Sequence, residues 1–209
     1  MVGEGISTVE NTIVVYEVSR PKELTSELLS KIIDCAKTVY AGGQHVTERY
    51  YIRLINNYRA KIRYTLDTEG NVTGFIVTRN AKKNILPGAE VLKINLVVVR
   101  KENHKLGIYR ELGFKAVDEA ILKKLSGIRL ITHNPRVELG LHKILQKFIA
   151  QGVLKGFTVL RDIILDPVRD YRDKPEVSGV REIDEAYFGK DGKKNYTYSI
   201  NINFAYVKQ

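Results

Sequence analysis

The chain of 209 residues holds a single cysteine, Cys35. One thiol excludes an internal disulfide and a cysteine-built zinc cluster, and it fits a reducing compartment, so a cytoplasmic location is expected. Long apolar runs are absent. The longest aliphatic run is Leu96–Val99, far short of the roughly 20 residues that a membrane helix needs. No basic start followed by an apolar stretch opens the chain, so a secretory signal is not expected. The four histidines show no metal-ligand spacing, and no metal is expected. Internal repeats and low-complexity tracts are missing, which favours one domain over residues 1–209. The tight aromatic–basic interleaving used for base stacking is missing as well.

What is present is positive charge. Thirty-four basic residues outnumber 24 acidic ones, for a net charge of +10. Such a balance favours polyanionic partners: nucleic acid, an acidic membrane, or a multiply phosphorylated ligand. A solvated lysine-rich surface with no specific partner accounts for it equally well.

Periodicity organises the rest. Glu10–Arg20 alternates around Val14, Tyr16 and Val18 and predicts a strand. Leu24, Leu28, Leu29, Ile32, Ile33 and Ala36 form a helical stripe that Ala41–Gln44 ends. A more polar helix is predicted from Val46 to about Tyr58. The segments "AKIRYTLD" and "VTGFIVTR", joined by "TEGN", predict an antiparallel hairpin. Val91–Val99 predicts a strong strand. A helix follows with Ile108, Leu112, Ala116, Val117, Ala120 and Ile121 on one face. Gly127–Thr132 predicts a strand. Asn134 is the candidate N-cap of a helix with Pro135 in its first turn. Gly156–Leu165 and Tyr198–Val207 predict two more strands, separated by a charged, mostly irregular segment over 166–195. A loop of that length is functional or disordered in most domains. This order describes an α/β domain. Its sheet is mixed, because the hairpin is antiparallel while the strand–helix–strand crossover over 91–132 requires parallel pairing.

One junction carries chemistry. In "VVVRKENHKLGIYREL" a strand leaves through a basic turn and enters a helix at Gly107. A helix start presents unpaired N–H groups and about half a positive charge to an anion, and glycine lets backbone approach it closely. Arg100, Lys101, Lys105 and Arg110 surround the point. With the element order, this stretch resembles the GNAT family, the Gcn5-related N-acetyltransferases, whose motif is Arg/Gln-x-x-Gly-x-Gly/Ala after an aliphatic strand. Gly107 matches the first glycine, His104 stands at the Arg/Gln position, and Tyr109 stands at the Gly/Ala position. "LITHNPRVELGLHKIL" matches the family's second region, a strand followed by an Asn-led helix.

The resemblance implies an acyl-CoA N-acyltransferase-like fold: a mostly antiparallel mixed sheet with helices on both faces. It implies acetyl-CoA as acyl donor and transfer of an acetyl group to a primary amine by direct attack on the thioester. The pantetheine arm would pair with a free sheet edge at Val97, Val98 and Val99. The diphosphate would lie on His104, Lys105, Leu106, Gly107, Ile108, Tyr109 and Arg110, with Asn134 nearby. Tyr109 could crowd the diphosphate, stack beside the ligand, or point into solvent.

The catalytic half matches less. Many family members carry a glutamate on the fourth strand, where Lys93 stands here. Glu90 is the nearest carboxylate, and Asn95 could orient a water; these two are the catalytic candidates. The family's thiolate-protonating tyrosine is replaced by Leu141-His142. His142, like His45 and His133, could equally be a surface residue. Asp184, Glu185 and Tyr187 of the long segment could meet a cationic amine. The readings that compete with acetyl transfer are a CoA-binding protein without turnover and a basic nucleic-acid-associated protein. The acceptor, a small molecule or a protein, and the oligomeric state are not legible.

Overall fold

The computed structural model describes residues 13–40, 52–53, 55, 59–82, 89–132, 134–165, 178–188 and 198–207. Seven strands form one sheet: β1 (Tyr16–Val18), β2 (Lys61–Leu66), β3 (Val72–Lys82), β4 (Glu90–Val99), β5 (Gly127–Thr132), β6 (Gly156–Leu165) and β7 (Tyr198–Val207). Among the described residues, besides helical positions 52–53 and 55, four helices accompany them: α1 (Ser26–Tyr40), α2 (Ile108–Leu122), α3 (Pro135–Ala150) and α4 (Arg181–Phe188). The strand order is β1-β2-β3-β4-β5-β7-β6. β4–β5 is the parallel pair and every other pairing is antiparallel. The mixed, mostly antiparallel sheet follows the expectation. No helix among the described residues is long and apolar enough to cross a membrane.

Two cores sandwich the sheet. On one face, Leu112, Ala116 and Val117 of α2 and Leu141, Ile144 and Phe148 of α3 pack on Ile76, Leu92, Ile128, Leu130, Ile202 and Phe204. On the other, Ile32, Cys35 and Ala36 of α1, with Ile55, pack on Ile62, Phe75, Val77 and Val98. Of the stripe positions expected from helical spacing, Ile32, Ile33, Ala36, Leu112, Ala116, Val117 and Ala120 are buried and Leu28, Leu29 and Ile121 half-buried, while Leu24 precedes α1; an amphipathic helix stays folded by covering its apolar face. Of the expected strand Glu10–Arg20, Tyr16–Val18 is β1, and residues 10–12 lie outside the described residues. The expected helix over 46–58 is represented by helical residues 52–53 and 55; its other positions, with His45 and His133, also lie outside them.

The segment 166–195 departs from its expected irregularity, since residues 181–188 form α4. Ile183 and Tyr187, one turn apart, are buried against the α3 face of the sheet. The Asp184 carboxylate accepts from the Ser178 and Gly179 N–H groups at 2.7 and 3.0 Å and secures the helix start. Eight residues with two apolar anchors give a weak periodic signal amid charge, so the sequence reads as loop there.

A charge network ties α2 to the first strands. Glu119 meets Arg63 and Lys61, the latter at 3.0 Å, and both cations also reach Glu17 at 2.8 and 2.9 Å. Burial by itself would raise the Glu119 carboxyl. The cations Lys123, Arg63 and Lys61 overcome it and hold the group at about 2, below its ordinary 4.5. The unfolded chain therefore takes up this proton first. The stabilisation is complete above about pH 4.5 and is lost as pH falls toward 2. Glu119→Gln should lower stability at neutral pH by about 2 kcal/mol, less than the ~3–5 of a fully buried pair because Glu17 still serves Arg63. Denaturant melts at neutral and acid pH check it: the difference between the two proteins must shrink in acid.

Candidate functional site

β4 and β5 pair at Leu92–Ile128, Lys93–Arg129 and Ile94–Leu130, and no further. β4 nevertheless runs on to Val99 and β5 to Thr132. The two strands thus part after Ile94, and among the described residues the β4 edge from Asn95 to Val99 has no strand partner on that side. The other edge of β4 stays paired with β3 through Val99. Parallel strands that separate in this way expose a row of N–H and C=O groups that can take an extended ligand as an added strand.

A β-bulge sits at the parting point. Val77 pairs with Leu96 and Thr78 with Ile94, so Asn95 has no partner on β3. The extra residue shifts the alternation. Before it, Leu92 and Ile94 face the α2–α3 core; after it, Val97 and Val99 do, while Leu96 and Val98 face the α1 core. Asn95, Leu96 and Val97 are half-buried between more deeply buried neighbours. The side chains of Val98 and Val99 are committed to packing, which leaves the backbone edge as their contribution to any ligand.

β4 leads through a 3-10 turn, Lys101–Leu106, to Gly107, which joins it to α2. Gly107 has φ 81 and ψ 7, the left-handed conformation that a Cβ disfavours. The first intrahelical bond runs from the Glu111 N–H to Gly107 O at 3.1 Å. The N–H groups of Ile108, Tyr109 and Arg110 precede it and belong to the open helix start. The Ile108 side chain is buried in the core, whereas Lys105, Leu106 and Arg110 are exposed around the turn. The Arg110 guanidinium lies over Gly107, within 3.4 Å of where a Cβ would stand.

Tyr109 takes none of the three courses open to it in the sequence. Its hydroxyl donates to Val137 O at 2.7 Å, and its ring lies where a Cβ on Gly140 would be only 2.2 Å away. Burial pushes its phenol pKa up. The large residue on α2 is matched by the missing side chain on α3, so the Tyr109 ring packs on α3. The His104 ring folds back to Val99 O at 3.0 Å, which requires Nε2 to carry the proton and donate. Arg100 also departs from expectation. Its Nε donates to Val72 O at 2.7 Å, so it is anchored in the sheet and is not a mobile charge at the turn.

The catalytic candidates separate. Glu90 is exposed at the first position of β4, opposite Lys82. Nine residues along a strand are about 30 Å, so Glu90 is remote from Val99 and the turn. It borders instead a cleft of about 610 Å³ at the far end of the sheet, together with Lys61, Glu119 and Lys123. Asn95 is at the parting point itself. Asn134 caps α3, its Oδ1 accepting from the Arg136 N–H at 2.9 Å. His142 is half-buried, edge-on to Phe157 and Phe204, with Nε2 3.3 Å from Glu138 Oε1. Asp184 is spent on its helix start, Glu185 pairs with Arg181 at 2.8 Å, and Tyr187 is buried beside Glu138. Burial of Ile183 and Tyr187 turns their stripe of α4 into the core with α3.

Sequence reading missed the neighbours of Lys93. Arg79 on β3 and Arg129 on β5 are its cross-strand partners. No local signal announces them, since 14 and 36 residues separate each from Lys93 and only register brings them together. It also missed Glu138, a wholly buried carboxylate on the apolar face of α3.

No protein-family model matches the sequence, and no curated protein matches it either. Solved structures do. A chain classed as a GNAT-family acetyltransferase from Desulfovibrio desulfuricans aligns over 93% of this chain and 99% of its own, with TM-score 0.53 and 8% identity. Naa20 of Chaetomium thermophilum, in complex with a bisubstrate analogue, aligns over 93% and 86%, with TM-score 0.52 and 15% identity. The NatC complex bound to Gag peptide and CoA aligns over 94% and 99%, with TM-score 0.52 and 13% identity. The parted β4–β5 pair and the Gly107 turn thus stand in a chain that has the fold of the GNAT acetyltransferases.

Proposed function

We propose that this protein is an acetyl-CoA-dependent N-acetyltransferase that moves an acetyl group to a primary amine by direct attack on the thioester. The observation that carries the reading is the parting of β4 from β5 after Ile94, with the left-handed Gly107 turn at the same end of β4. The residues fit the donor: the Tyr109 ring packs on α3 and not on the turn, and among the described residues no strand pairs with the Val97–Val99 edge on its β5 side. When bound, acetyl-CoA supplies the activated acyl group. The chain's own part begins at the helix start, where the N–H groups of Ile108, Tyr109 and Arg110 face the diphosphate. Exposed Lys101, Lys105 and Arg110 add charge around it. The free β4 edge fixes the arm along Val99 to Val97, which directs the reacting end toward Asn95. N–H groups of that edge are placed to donate to the carbonyl oxygen as negative charge develops there. Asn95 orients the water that takes the amine proton as the C–N bond forms; the C–S bond then breaks, and the proton is passed through solvent to the departing CoA thiolate.

Isothermal titration with acetyl-CoA tests the reading directly, and a folded sample that shows no binding at tens of micromolar removes it. Asn95→Ala should lower kcat by about 10–100-fold while leaving acetyl-CoA binding within about twofold of the parent. Steady-state thiol release beside titration separates the two effects. A second reading, CoA binding without turnover, draws on Lys93 in place of the family's glutamate. Acetylation of any amine in a broad panel excludes it.

A further inference from the structure

We propose that the acceptor carries an anionic group near its amine, a carboxylate in the first instance, and that Arg79, Lys93 and Arg129 hold it; this rests on the acetyl-transfer reading above. The three cations occupy one cross-strand row on β3, β4 and β5, continued on β7 by Asn203. Directly opposed residues share a face of the sheet. Here it is the face away from α2 and α3, since Leu92, Ile94, Ile128 and Leu130 fill the other. The row lies one residue before the last β4–β5 pair, beside Asn95 and the parting point.

Like charges side by side destabilise a sheet unless something offsets them. Among the described residues no carboxylate forms an ion pair with Arg79, Lys93 or Arg129. Arg129 Nε donates to Asn201 Oδ1 at 2.9 Å, and Asn201 Nδ2 reaches Asp162 Oδ2 at 3.4 Å. Among the described residues that is the acidic group linked to the row, and it is reached through an amide. Arg79 Nε is buried without a hydrogen-bond partner, and so are both polar atoms of the Asn203 side chain, a residue 1% exposed. Buried donors without acceptors are costly to a fold. A carboxylate has two oxygens and about four acceptor positions, enough to serve neighbouring Arg79 and Lys93, or Lys93 and Arg129, together. Burial, then Arg79 and Arg129, lower the Lys93 pKa, which is the state such an anion would reverse.

The test follows Lys93 modification by an amine-reactive reagent, read by mass spectrometry at constant ionic strength. Succinate should slow the labelling about tenfold and its diamide should not. Arg129→Met and, separately, Arg79→Met should abolish the protection, and Arg129→Lys should restore part of it. In turnover, amino acids should exceed their carboxamides in kcat/KM by about tenfold, and Arg129→Met should erase that preference. Equal labelling with succinate and the diamide overturns the proposal, as does a preference for the carboxamides. Acetyl-CoA titration is run beside it. Protection by succinate in a protein that does not bind acetyl-CoA removes the acceptor role and the acetyl-transfer reading together, whereas acetyl-CoA binding without protection removes the anion site alone.

Discussion

Replacing Gly107 by valine is expected to weaken acetyl-CoA binding by about 100-fold, or about 2.7 kcal/mol. Two costs combine. Gly107 sits at φ 81, where a left-handed conformation costs an ordinary L-residue roughly 1–2 kcal/mol and a β-branched one more. A folded variant relieves that strain by turning the peptide, and the N–H groups at the start of α2 then no longer converge on one anion. The new side chain also meets the Arg110 guanidinium, which lies within 3.4 Å of the Cβ position. Gly107→Ala meets the first cost without the branching and should show a smaller loss. Titration calorimetry measures the affinity, and circular dichroism confirms that each variant is folded. A folded Gly107→Val protein with parental affinity would place the donor elsewhere.

The second large effect concerns stability. Glu138→Ala should lower it by about 3–5 kcal/mol, or roughly 6–20 °C in Tm for a chain of this size. Glu138 is 0% exposed and lies on the apolar side of α3. Arg161 Nε donates to its Oε1 at 2.8 Å, His142 stands at 3.3 Å from the same oxygen, and Tyr187 of α4 is buried beside the carboxylate. Burial by itself would raise the Glu138 carboxyl, yet His142, Arg161 and Tyr187 together hold it below its ordinary value. Truncation takes away the carboxylate to which the half-buried Arg161 guanidinium donates. The isosteric Glu138→Gln keeps the volume and should lose less. Changing Glu138 and Arg161 to leucine together should recover much of the loss, because the unpaired charge is then gone. Thermal melts of the three variants decide it; a Glu138→Ala protein as stable as the parent would mean that this cluster is decorative. Because the folded carboxyl is held low, its stabilisation, like that of Glu119, is present at neutral pH and is lost in acid.

Glu138 and Tyr109 show why parts of the candidate site were not legible. Along α3, Val137, Leu141, Ile144, Leu145 and Phe148 give a periodic stripe, and position 138 falls within it. A carboxylate in that stripe looks like a flaw until Arg161 from β6 and Tyr187 from α4 arrive. Tyr109 departs from the Gly/Ala of the resembled motif, and no local pattern says where its ring goes. Gly140, 31 residues later, supplies the space. The bulge at Asn95 is hidden for another reason. From Leu96 to Val99 every side chain is aliphatic, so a shift in alternation leaves no trace in the hydrophobic pattern.

Local chemistry alone determined the order of strands and helices, the stripes that would be buried, the Asn134 cap and the glycine turn after β4. Those features arise from sterics and hydrogen bonds among residues within a few positions of each other, so a short window contains their cause. Tertiary structure decided where β4 leaves β5, which way Tyr109 and Arg100 turn, that 181–188 is a helix, and that Arg79, Lys93 and Arg129 share a row. Each of these depends on partners brought from distant parts of the chain by register and packing. Periodicity states that a face will be covered, but only the assembled sheet states what covers it.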